Sequence, residues 1–148
     1  MNNFYLPKKI FGFYLFGAAG ICTEIFFTAL QSLYYAYTEG GTPDWGLTGK
    51  SYIWMFPIYG SASIFLDLLM PYLSKIKFVF RLLFYPIGIF IVEYITGWLL
   101  DVTTGKCPWE YHSPYAIHGY INLAYTPLWM LFGIALELIY NTLQRFKE

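Results

Sequence analysis

Four carboxylic acids stand inside long apolar runs of this chain: Glu24, Asp67, Glu93 and Glu137. An acid at mid-bilayer costs at least ~2.5 kcal/mol even on the most lenient insertion scale. No lysine or arginine falls inside the same runs to offset that cost. Such acids are protonated, hydrogen-bonded to polar neighbours, hydrated in a cavity, or paired with a bound cation, and each option takes them off a lipid-facing surface. His118 and Asn122, at the start of the fourth apolar run, add a titratable ring and an amide at a depth comparable to Glu24 and Glu93. The chemistry open to this group is proton exchange, binding of a polar solute or headgroup, or acid–base work by a Glu93/His118 pair. The commoner use of such residues is polar glue between helices.

The elements that must position these groups are membrane helices. Of 148 residues, 57% are hydrophobic and 23% aromatic, and only 12% are charged. A soluble domain carries about twice that charge, so the surroundings here are lipid. The apolar runs cover about 10–37, 51–73, 82–100 and 115–143. Each is long enough to cross ~30 Å of hydrocarbon as a helix, and the two-residue alternation of a barrel strand is absent. The first run, preceded by Lys8 and Lys9, has the look of a signal peptide, but its apolar residues continue past any cleavage point, so a retained helix is expected. The expected fold is an all-α, multi-pass membrane protein, with residues 1–148 forming a single transmembrane domain of four helices.

Lys8 and Lys9, then Lys75, Lys77 and Arg81, then Arg145 and Lys147 cluster before helix 1, between helices 2 and 3, and after helix 4. The positive-inside rule then places both termini in the cytoplasm and the 107–119 segment on the extracytoplasmic side. The membrane is the plasma or inner membrane in a bacterium, or a cell or organelle membrane in a eukaryote.

A shift of 70 residues brings Gly49 onto Gly119, Pro57 onto Pro127 and Asp67 onto Glu137; a shift of 69 brings Glu24 onto Glu93. The expected arrangement is two tandem helical hairpins, about 10–74 and 79–144. Glu24 and Glu93 then form an upper layer with His118 and Asn122, whereas Asp67 and Glu137 form an inner polar layer within reach of the cytoplasmic cations. Gly20, Glu24 and Thr28 share one stripe of helix 1; Glu93 and Gly97 share one on helix 3; Asn122, Thr126, Gly133 and Glu137 line helix 4.

The crowded stretch C-P-W-E-Y-H-S-P-Y-A-I-H-G, residues 107 to 119, reads as a shaped loop at the water boundary, where rings prefer to sit. His112 and His118 are six residues apart, too far for i, i+4 ligands, and no Cys/His zinc spacing occurs, so neither a metal nor a cofactor is expected. Cys22 and Cys107 sit at different depths, which argues against a disulfide. A net charge of zero argues against nucleic acid.

Glu93-Tyr94-Ile95-Thr96-Gly97-Trp98, followed by Cys107-Pro108-Trp109-Glu110-Tyr111, resembles the Glu-x-x-x-Gly and C-P-W-x-Y signature of the transmembrane protein 229 family. It is similar also to the bacterial family labelled ABC-transporter permease, CmpB type. Gly20 to Thr28 and Phe56-Pro57-Ile58-Tyr59-Gly60 extend the likeness, which runs from about Gly12 to Arg145. The resemblance implies a short multi-pass protein that is at most one subunit of a transporter. It nominates Glu24, Glu93, Gly97, Trp98, Cys107, Trp109 and Tyr111 as signature positions, without assigning catalytic roles.

The functional expectation is binding or passage of a lipid, small solute or proton through an outward-facing pocket lined by Glu24, Glu93, His118 and Asn122, with the Trp109 loop as lid. Membrane lipid is the expected surrounding partner, with a homo-oligomer or partner membrane subunit also open. A scaffold subunit is the alternative, and an intramembrane lipid-modifying enzyme ranks third.

Overall fold

A computed structural model describes residues 8–145. Its elements run α1 (Lys8–Thr38), α2 (Met55–Leu73), α3 (Phe78–Thr104), β1 (Ala116–Ile117), β2 (Ile121–Asn122), a 3-10 turn (Leu123–Tyr125) and α4 (Thr126–Arg145). Four of these helices are long and apolar enough to cross a membrane. Of the cations that the charge pattern rests on, Lys147 lies outside the described residues.

The helices form because the apolar runs contain few breakers, and they stop where the backbone must change hand. Gly105 follows α3 with φ 83°, a left-handed conformation that suits glycine, and its N–H donates to the Asp101 carbonyl at 2.8 Å. Hydroxyls within the spans are satisfied by their own helix: Thr23 donates to the Ala19 carbonyl, Thr96 to Val92 and Thr142 to Leu138. Large apolar side chains point outward on every helix. Phe26, Leu68, Val79 and Leu131 are each more than 60% exposed, an apolar surface of the kind that a bilayer or a membrane partner covers.

Two compact units make up the chain, Met1–Phe65 and Leu66–Glu148. In the first, α1 and the N-terminal part of α2 meet through glycine notches. A methyl group at Gly17 would stand 2.9 Å from the Phe56 carbonyl oxygen, and one at Gly60 would stand 2.8 Å from that of Phe13. In the second unit α3 and α4 pack against each other, with Gly133 of α4 pressed onto the Tyr85 ring of α3.

The helix bounds differ from the sequence expectation at four places, one of them the end of α3, which runs to Thr104 and not to Leu100. α2 starts at Met55, not Ser51, because 51–54 form an extended entry and turn. α3 starts four residues earlier than expected, which takes Arg81 into its first turn. The largest difference lies at 115–125. The fourth run is apolar there, but it folds as an antiparallel hairpin in which Ala116 pairs with Asn122 and Ile117 with Ile121. His118 (φ 50°) and Gly119 (φ 78°) carry the two positive φ angles of a type I′ turn, closed by the Tyr120 N–H on the Ile117 carbonyl at 3.1 Å. His118 and Asn122 therefore sit on the hairpin, not on the first turns of α4, and Asn122 does not share a helical stripe with Thr126, Gly133 and Glu137.

Candidate functional site

Carboxylates and phenols are matched throughout the spans. Glu24 in α1 accepts at Oε2 from the Ser51 and Tyr59 hydroxyls, both at 3.0 Å. Among the described residues no cation lies at ion-pair distance from Glu24. The ring of Tyr59 rests on Gly20, one helical turn before Glu24, so the glycine makes room for the phenol that the glutamate binds.

The second unit repeats the device. Glu137 in α4 accepts a hydrogen bond from Tyr85, whose ring rests on Gly133, again one turn before the acid. Arg81 adds an ion pair to Glu137 at 3.1 Å and stacks on the Phe78 ring. Asp67 accepts from the Gln144 amide at 3.2 Å and from the Tyr140 hydroxyl. This lower group, Asp67 and Glu137, is thus held by hydroxyl, amide and guanidinium donors within one unit.

Glu93 is buried in α3, and the Tyr111 hydroxyl reaches it at 3.4 Å. Four signature positions assemble around that contact. Gly97 leaves the space that Cys107 and Tyr120 fill; a methyl group there would stand 3.2 Å from Tyr120 Cβ and 3.3 Å from Cys107 Sγ. Trp109 Nε1 donates to the Tyr120 carbonyl at 3.2 Å, and the Tyr111 N–H donates to the Gly119 carbonyl at 2.9 Å. The C-P-W-E-Y loop is therefore strapped to the hairpin and laid against the Glu93–Gly97 face of α3. Trp98, on another face of the same helix, is half exposed.

His118 and Asn122 serve the hairpin differently. Asn122 is buried, and its side-chain oxygen caps the 3-10 turn by accepting from the Ala124 N–H at 3.1 Å. His118 projects from the turn, with Nδ1 at 2.7 Å from the Tyr94 hydroxyl of α3. Tyr94 also packs edge-on to Tyr120 at 5.4 Å between centroids, and Tyr120 donates to Asp101 at 2.7 Å. That bond, with burial adding to it, pushes the Tyr120 phenol up to about 12. Burial likewise raises the Cys107 thiol, which its contact with the Trp109 backbone opposes. A thiol so held is a poor nucleophile.

Of the sequence-nominated residues, Glu93, His118, Asn122, Gly97, Cys107, Trp109 and Tyr111 belong to the second unit and Glu24 to the first. Sequence reasoning named Tyr111 as a signature position but missed Tyr59, Tyr85, Tyr120 and Tyr140. Tyr59, Tyr85, Tyr111, Tyr120 and Tyr140 each bond a carboxylate. The available signal was the position of Tyr85, two turns inside its span and away from the boundaries that tyrosine prefers. Among the described residues no cluster of three or more His, Cys, Asp or Glu could hold a metal ion.

No solved structure matches the chain. A family model matches residues 11–147, a span of this chain that covers both glycine–tyrosine–glutamate arrangements and the strapped loop. On that match the chain is a multi-pass membrane protein of transporter type and belongs to the CmpB-type family described as "Putative ABC-transporter type IV".

Proposed function

We propose that this chain is a membrane-embedded subunit of a transporter that binds or passes a lipid, a small solute or a proton. The polar sites it uses surround Glu24 in one unit and Glu93, His118 and Asn122 in the other, reached from the side of the 107–119 loop. The observation that carries this reading is Glu24: a glutamate within a spanning helix, answered by the Ser51 and Tyr59 hydroxyls and, among the described residues, by no cation at ion-pair distance. Hydroxyl groups donate to a carboxylate and rotate to accept from a carboxylic acid. Glu24 thus keeps its neighbours in both protonation states, which suits a group that exchanges a proton or trades a hydroxyl for a ligand's donor.

Membership in a transporter-type family supports the same class. A scaffold reading draws on the lower group, because the Arg81–Glu137–Tyr85 contacts join α3 to α4 whatever the chain carries. An acid–base enzyme would engage Glu93 with His118; instead the Tyr111 hydroxyl serves Glu93 and Tyr94 serves His118.

The test compares wild type with a Glu24→Gln, Glu93→Gln double variant. Both are examined by mass spectrometry after extraction with surrounding bilayer, and by dye-reported proton flux in liposomes. The reading predicts that the variant loses a bound species or a flux while it stays folded with the helical content of wild type. A folded variant indistinguishable from wild type in both assays overturns it.

A further inference from the structure

Between α1 and α2 the chain doubles back along α1. Asp44 closes a turn there, accepting at its carboxylate from the Gly46 N–H at 2.8 Å and the Thr48 N–H at 3.4 Å. Residues 48–51 follow as a strap without regular secondary structure. Thr28 of α1 ties it down: its hydroxyl accepts from the Lys50 N–H at 2.8 Å and donates toward the Lys50 and Ile25 carbonyls at 3.0 and 3.1 Å. Gly49 lies on the Ile25 carbonyl, where an added methyl group would collide. The strap then delivers the Ser51 hydroxyl to Glu24, one helical turn from Thr28.

Hydrogen bonds hold this strap, with no buried side chain beneath them. Every residue from 39 to 54 is exposed or half-buried, Trp45, Leu47 and Ile53 included. Segments with few buried apolar contacts open at low free energy, and loops that admit ligands are drawn from them. On opening, the strap exchanges its bonds to α1 for bonds to water. The loop at Glu93 is built otherwise: Cys107 is buried and seated at Gly97, so packing as well as bonding fixes it. Of the two acids, Glu24 therefore lies under the segment that opens more readily.

We infer that residues 44–51 are a gate over Glu24, latched by Thr28. Closed, the gate keeps the Ser51 hydroxyl on Glu24 Oε2; open, it withdraws Ser51 and leaves that oxygen to Tyr59 and an entering hydrogen-bond donor. Thr28 acts through Lys50 and Ser51, which makes it a positioning residue. The inference rests on the reading of Glu24 as a binding group and adds how that group is reached.

The test is the rate at which a water-soluble carbodiimide modifies Glu24 in bilayer discs, read by peptide mass spectrometry with Glu137 of the same molecules as reference. Thr28→Val keeps the shape of the side chain and removes the latch. It is expected to speed modification of Glu24 by roughly tenfold, the order set by the loss of its bonds to Lys50, and to leave the rate at Glu137 unchanged. Thr28→Ser keeps the hydroxyl and is expected to behave as wild type. Gly49→Ala lifts the strap off Ile25 by a different route and is expected to match Thr28→Val. The inference is overturned by a Glu24 rate equal to that of wild type in either folded opening variant, or by a rate at Glu137 that rises with the rate at Glu24. No cargo enters this assay, so such a result overturns the gate alone. An unchanged bound species and flux in the Glu24/Glu93 double variant overturns the proposed function and leaves the motion of the strap standing.

Discussion

A tyrosine is an economical partner for an acid inside a membrane. It supplies one donor on a largely apolar ring, and it asks the fold to bury no second charge. Tyr59 and Tyr85 illustrate the two settings. Tyr85 shares Glu137 with Arg81, so Tyr85→Phe removes one of at least two donors from a buried carboxylate that stays paired; the expected loss is about 1–2 kcal/mol of unfolding stability, read from denaturation in bilayer discs. Tyr120 reports the same chemistry outside the spans. Its phenol is held protonated by Asp101, up to about 12, so the native state binds that proton more tightly than the unfolded chain does. The contribution is fully present below the ordinary phenol value of 10.0 and is lost as pH rises through about 12. Spectrophotometric titration is expected to show late tyrosine ionisation, of which the Tyr120 part returns toward the ordinary range in Asp101→Asn. Little of this was legible beforehand. The chain has 15 tyrosines, and a ring near the boundary reads as an interfacial anchor until its hydroxyl is seen on a carboxylate.

At the scale of elements, glycines decide which helix faces meet. Gly20 and Gly133 each seat the tyrosine that binds the acid one turn further on, and Gly97 seats the signature loop. Gly97→Ala is expected to cost about 1–3 kcal/mol, because a methyl group there presses on Tyr120 Cβ and Cys107 Sγ at 3.2 and 3.3 Å. Gly88→Ala is the control: nothing lies within 4 Å of an added methyl, so helix propensity alone acts, with an expected gain of up to about 1 kcal/mol. Melting of the two variants side by side checks both. The Glu93–Gly97 and Gly20–Glu24 stripes were readable from four-residue spacing, since that spacing marks one helical face. The 116–122 hairpin was not. Ala116, Ile117 and Ile121 carry the same apolar signal as a helix entry, and only the paired positive φ angles at His118 and Gly119 break the helix. A left-handed histidine leaves little trace in composition.

At the scale of the whole molecule, hydropathy and length were sufficient for the four spans, because a bilayer demands long uninterrupted runs and tolerates few charges. The distribution of cations gives an expected orientation to be measured. With Lys75 and Lys77 between α2 and α3 and Arg81 in the first turn of α3, reporter fusions at both ends of the chain are expected to be cytoplasmic, and one inserted near Glu110 is expected on the opposite side. Ends on opposite sides would contradict that orientation. A glycine, a tyrosine ring and a glutamate one turn after the glycine occur in each unit, at positions that the 70-residue shift does not superimpose. Each of the four acids within the spans is bonded to a phenol.

The most direct measurement is a double-mutant cycle at Glu24 and Tyr59 in bilayer discs, using Glu24→Gln, Tyr59→Phe and the pair together. The account predicts non-additive losses, with a coupling of about 1 kcal/mol or more for a buried hydroxyl–carboxylate bond. Strictly additive losses would mean that the glutamate and the phenol do not act on each other inside the membrane, and would contradict it.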